Sequence, residues 1–69
     1  SVYDQLLEVQ AELVRGEAGA EKPLSCSSSQ LAKLAQMRNA DAKMLEQLLG
    51  ERRAARFGSA FLDVLREAS

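Results

Sequence analysis

The sequence predicts an all-α fold, a compact bundle of four or five short helices. Three observations lead there. The apolar residues are mainly Leu, Ala, Val and Met, with three aromatics and no Trp, and apart from Val these are helix-forming types. They recur at intervals of three and four rather than two, the period of a helix with one buried face. The single Pro and the four Gly fall at breaks in that periodicity.

The spacing predicts a first helix over residues 2–15. Val2, Leu6, Val9 and Leu13 recur on one face, and Tyr3, Leu7 and Val14 widen the apolar arc. Asp4, Glu8 and Glu12 stand four apart on the opposite side, and Arg15 closes that row. Like charges at this spacing repel by roughly a few tenths of a kcal/mol per pair. Asp4 partly offsets this near the positive start of the helix. The row is either a solvated face or a surface that meets a basic partner or repels phosphate. Gly16 is positioned to end the helix as its C′ residue.

Residues 16–27 read as a long connection, of a length that is usually functional or pinned by packing. Leu24 and Cys26 are the expected pins, and Cys26 reads as a small buried packing residue rather than a reactive thiol. Ser27 with Gln30 then fits a capping box for a second helix, with Ser28 as an alternative cap. Leu31, Leu34 and Ala35 form its buried face.

Asn39 is the expected N-cap of a third helix, with Asp41 in the favourable first turn. Met44, Leu45, Leu48 and Leu49 line that helix, and Gly50 ends it. From Glu51 a fourth helix runs to about Phe57. Gly58-Ser59 either kinks it or separates a fifth helix ending near Ala68. Phe57, Phe61 and Leu65 fall four apart and face the core together. If the helix is continuous, Arg52, Arg56, Ser59, Asp63 and Arg66 share a solvent-facing row.

Composition narrows the function. The chain has 69 residues, 46% of them hydrophobic and 28% charged, which suits one small folded domain and not a disordered chain. No apolar run reaches the length of a membrane span, and no signal-peptide pattern opens the chain. With no His and a single Cys, a protein-ligated metal site is not expected, and no cofactor is. A free thiol fits a reducing compartment, so the expected setting is cytoplasmic. No His base, glycine-rich phosphate loop or Gly-x-Ser-x-Gly elbow is present, so no enzyme reading stands for the domain itself. The chain begins at Ser1 and reads as a piece of a larger protein.

The formal net charge of −1 divides unevenly: residues 1–21 carry −4 and residues 22–69 carry +3. The densest positive charge, Arg52, Arg53 and Arg56, adjoins the two phenylalanines. Lys22, Lys33 and Lys43 add to these as candidate nucleic-acid contacts. The acidic candidates are Asp4, Glu8, Glu12 and Glu17. The chain is not the uniformly basic one that nucleic-acid binders usually present.

One series of residues points to a family. Leu31-Ala-Lys-Leu-Ala matches a Leu-x-x-Leu-Ala helix. Met44-Leu45, Gly50 and Arg53 follow at the expected places. The close, Arg56-Phe57-Gly58-x-x-Phe61-Leu62-x-x-Leu65, is similar to Lys/Arg-Tyr/Phe-Gly-x-x-Phe-Leu-x-x-Ile. The chain resembles the HRDC domain, the helicase-and-RNase-D C-terminal module of RecQ-type DNA helicases, over nearly its whole length.

The resemblance implies that residues 1–69 form a single accessory domain that tunes how a helicase core engages DNA. The parent would hydrolyse ATP, and the isolated domain would be monomeric. Its expected partners are the helicase core of the same chain and, weakly or indirectly, DNA, with no membrane. RNase D-type exonucleases also carry the module, which would make the polymer RNA. Lys22-Pro23-Leu24 stands where the family commonly has Pro-Pro-Tyr, whose Tyr is associated with single-strand contact. Leu48 stands where the first Gly of a Gly-Val-Gly would be. With the acidic first helix, these departures favour regulation through protein contacts over direct DNA binding. A helical bundle with no nucleic-acid connection remains as a further alternative.

Overall fold

Why each helix begins and ends where it does can be followed bond by bond in the computed structural model, which describes residues 1–15 and 24–68. Among these are four helices: α1 (Val2–Arg15), α2 (Ser28–Ala35), α3 (Ala42–Leu49) and α4 (Glu51–Ala68). Before α1, the Ser1 hydroxyl accepts from the Asp4 amide at 3.2 Å. At α2 the capping box forms in both directions. The Ser27 hydroxyl accepts from the Gln30 amide at 3.1 Å, and Gln30 Oε1 accepts from the Ser27 amide at 2.9 Å.

The cap of α3 corrects the sequence expectation. Asp41, in extended backbone, accepts the Met44 amide on Oδ1 at 2.8 Å. Asn39 is not the cap; it sits in the left-handed region at φ 54°, a conformation Asn tolerates better than most residues. The cap therefore lies two residues later than expected, and Asn39 turns the chain. Gly50 ends α3 at φ 88°, where a side chain would be strained. Its amide donates to the Glu46 carbonyl at 2.8 Å and its carbonyl accepts from the Ala54 amide at 3.0 Å. One glycine thus closes α3 and opens α4.

No fifth helix separates at Gly58-Ser59, because α4 runs unbroken for 18 residues. Gly58 is buried, yet a Cβ built there would meet nothing within 4 Å. It therefore does not break the helix, and among the described residues no other element approaches it closely. Gly16, expected to end α1, lies outside the described residues.

The main contacts run α1 to α2, α2 to α3, α3 to α4 and α4 back to α1. The four helices therefore close a ring around one core. Leu6, Leu31, Leu34, Leu45, Phe57 and Phe61 are fully buried there, joined by Leu49, Leu62, Leu65 and Cys26. Removing each Leu or Phe side chain from water is worth about 1.5–3 kcal/mol. The radius of gyration is 11.4 Å, near the roughly 11 Å expected for a compact chain of this length.

Val2, Tyr3, Val9, Leu13 and Val14 of α1 are half-buried against this core, as is Ala35 of α2. Leu7 departs from the expected apolar arc and is 38% exposed. Leu24 packs on the core and Cys26 lies in it, so both serve as the expected pins.

Candidate nucleic-acid interface and acidic face

The two charged groups named from sequence occupy different helices. Asp4, Glu8 and Glu12 are all exposed along α1. Asp4 lies 3.7 Å from the Ser1 amine. Glu8 and Glu12 have no ion-pair partner among the described residues. Glu17 and Lys22, the remaining acidic and basic candidates of the first part of the chain, lie outside the described residues.

On α4, Arg52, Arg56, Ser59, Asp63 and Arg66 are exposed in one row, as expected for a continuous helix. Arg53 and Arg56 have structural work beside any ligand. The Arg53 Nε donates to the Ser25 carbonyl at 2.8 Å, and the Arg56 Nη2 donates to the Leu13 carbonyl at 2.8 Å. Leu13 is in the last turn of α1, where helix carbonyls lose their intrahelical donors. Charged donors make stronger hydrogen bonds than neutral ones. Both arginines thereby tie α4 to the segments on either side of the 16–23 connection. Sequence spacing places a residue on a helix face but does not name a partner 28 or 43 positions away, so this role was not legible.

Lys33 on α2 and Lys43 on α3 are exposed, as is Arg52. None of the five described candidate cations lines either of two surface grooves found among the described residues. The larger groove, about 980 Å³, is lined instead by Arg38 and Arg66. The hint in the sequence was Arg38 in the turn Gln36–Asn39 between two short helices.

The aromatics face inward. Phe57 and Phe61 are fully buried and stack on one another, with ring centroids 5.5 Å apart and planes 13° from parallel. Tyr3 is half-buried against the core. No aromatic ring among the described residues is fully open to a nucleobase.

Cys26 is buried, and its amide donates to Gln10 Oε1 at 2.7 Å. Burial pushes its thiol pKa up, while the nearby Arg53 charge pulls it partly back. This is the opposite of what a reactive thiolate needs. Among the described residues no cluster of His, Cys, Asp and Glu could hold a metal, and no helix is long and apolar enough to cross a membrane. Comparison with known families, curated proteins and solved structures finds no match for the chain.

Proposed function

We propose that the chain is a non-catalytic accessory domain of a RecQ-type DNA helicase, one that tunes DNA binding and unwinding by its parent through contacts of an acidic face. The family part of this reading rests on the HRDC-like residues, closing with Arg56-Phe57-Gly58 and Phe61-Leu62. The observation that carries the mechanism is the exposed row Asp4, Glu8 and Glu12 on α1, with Glu8 and Glu12 unpaired among the described residues. Such a row attracts a basic surface, and the helicase core of the same chain is the proposed partner. Complementarity of this kind governs encounter rate and choice of partner more than raw affinity.

Direct nucleic-acid binding through Arg52, Arg53 and Arg56, helped by Lys22, Lys33 or Lys43, is the second reading. It is favoured by the exposure of Arg52, Lys33 and Lys43. It is the weaker of the two, because Arg53 and Arg56 already donate to backbone carbonyls. Buried phenylalanines also forgo the stacking worth about 1–3 kcal/mol per base. An RNase D-type parent would carry the same accessory role over to RNA.

The test is to neutralise Glu8→Gln and Glu12→Gln in the parent helicase. DNA affinity or unwinding rate should change by roughly two- to tenfold at low salt, and the effect should fade as salt screens the face. Unchanged kinetics would overturn the regulatory reading. A mobility shift of single-stranded DNA by the isolated chain at about 50 mM salt, lost in Arg52→Ala with Arg56→Ala, would establish direct binding instead.

A further inference from the structure

Small residues leave the second groove, of about 310 Å³, between α3 and α4. Its floor on α4 is Ala54, Ala55 and Gly58, with Leu62 beyond them, and Ala42 lines it from α3. Gly58 counts among the buried residues of α4, yet a Cβ built on it meets nothing within 4 Å. The notch therefore runs down to bare backbone and stays open. The two helices meet at Gly50, and the lining residues nearest that corner in sequence are Glu46 and Glu51. Both are exposed, and neither forms an ion pair among the described residues. Exposed Lys43 and Arg52 adjoin lining residues in sequence without being part of the lining. The groove is acidic towards Gly50 and apolar towards Leu62. Between Glu51 and Leu62 α4 rises about 16 Å, the reach of about five extended residues.

We propose that this groove docks a short basic peptide segment carrying one apolar anchor side chain. Glu46 and Glu51 select a Lys or Arg at the Gly50 end, since complementary charge governs choice of partner more than raw affinity. Affinity comes from the anchor, which takes its own surface and that of Ala54, Ala55 and Leu62 out of water. The missing side chain at Gly58 lets the anchor, or the peptide backbone beside it, come close. A nucleic-acid strand is disfavoured, because the same carboxylates repel its phosphates. The proposal does not rest on the α1 face, and the two surfaces can be tested apart.

The test is an amide-shift titration of the 69-residue chain by two-dimensional NMR. The probe is a capped peptide, Lys-Arg-Gly-Leu-Ser-Gly. The comparisons are a peptide with Gly in place of Leu, one with Glu in place of Lys and Arg, spermidine and oligo-dT. The expected result is saturable shifts confined to residues 42–46 and 51–62, with a midpoint below about 1 mM. Ala55→Leu, which fills the notch, should weaken the midpoint at least about tenfold. Glu46→Lys should weaken it about fivefold, whereas Glu8→Gln should leave it unchanged. Ala55 and Glu46 are exposed, so both variants keep the core, and each amide spectrum reports that its variant is folded. The proposal is overturned if the probe gives no saturable shift, if its shifts fall on residues 4–12 of α1 instead, or if either altered peptide binds as well. It is equally overturned if spermidine or oligo-dT saturates the same amides at lower concentration than the probe. Shifts at the groove on concentrating the chain alone would assign it to a second copy and overturn the proposal too.

Discussion

At the scale of single residues, Asn39 and Asp41 show how two polar side chains in one turn do different work. Asp41 gives an oxygen to the Met44 amide, and Asn39 supplies a left-handed backbone. Asp41→Ala should cost about 1 kcal/mol of stability, the usual worth of an N-cap. Asn39→Gly should be close to neutral, because glycine adopts the same φ freely. Urea unfolding of the two variants separates the roles; equal losses would contradict the assignment. Cys26 carries a pH signature of its own. Its folded pKa lies above the ordinary value of 9.0 because burial disfavours the thiolate. Its contribution is therefore fully present below that ordinary value and is lost as pH rises through the folded pKa, since the unfolded chain ionises first. Wild-type stability should fall more steeply above about pH 9 than that of Cys26→Ala, as urea midpoints across that range would show.

At the scale of elements, α4 holds its course through Gly58 although glycine is a poor helix residue. A methyl group there meets open space, so Gly58→Ala should stabilise the fold by about 0.5–1 kcal/mol. Calorimetry should show a melting temperature raised by several degrees. A loss of stability would mean that the position is tighter than its geometry indicates. The same helix explains what could be read in advance. The four-residue spacing of Phe57, Phe61 and Leu65 placed them in the core, and Ser27 with Gln30 announced the start of α2, because both signals are local. Gly58 does not break α4. A helix anchored on both sides by buried Phe57, Phe61 and Leu62 outweighs one unfavourable propensity. Leu7 was misplaced for a related reason: helical spacing defines an arc, but only the packed neighbours define its edge.

At the scale of the whole molecule, the all-α bundle was legible because nearly every apolar residue agreed on one period. The candidate site was less so. Charges can be counted along a chain, but their partners depend on which carbonyls the fold carries past them. Arg56 is the case in point, since it reaches from α4 to the end of α1 across 43 positions. A guanidinium aimed at the Leu13 carbonyl has its orientation set, and turning its fork to grip an anion by two parallel bonds gives that carbonyl up. Occupancy by an anion and closure of the α1 end are then opposing equilibria, coupled by about 1 kcal/mol, the net worth of such a bond. Reciprocity requires each to weaken the other by roughly fivefold. Amide exchange in the last turn of α1 should accordingly quicken about fivefold in Arg56→Ala. Saturating wild type with polyphosphate at low salt should reproduce the effect; unchanged exchange under both conditions would show that the two equilibria are independent. The arginine that looks most like a hand held out to a ligand is also a latch, and whatever takes the hand loosens the latch.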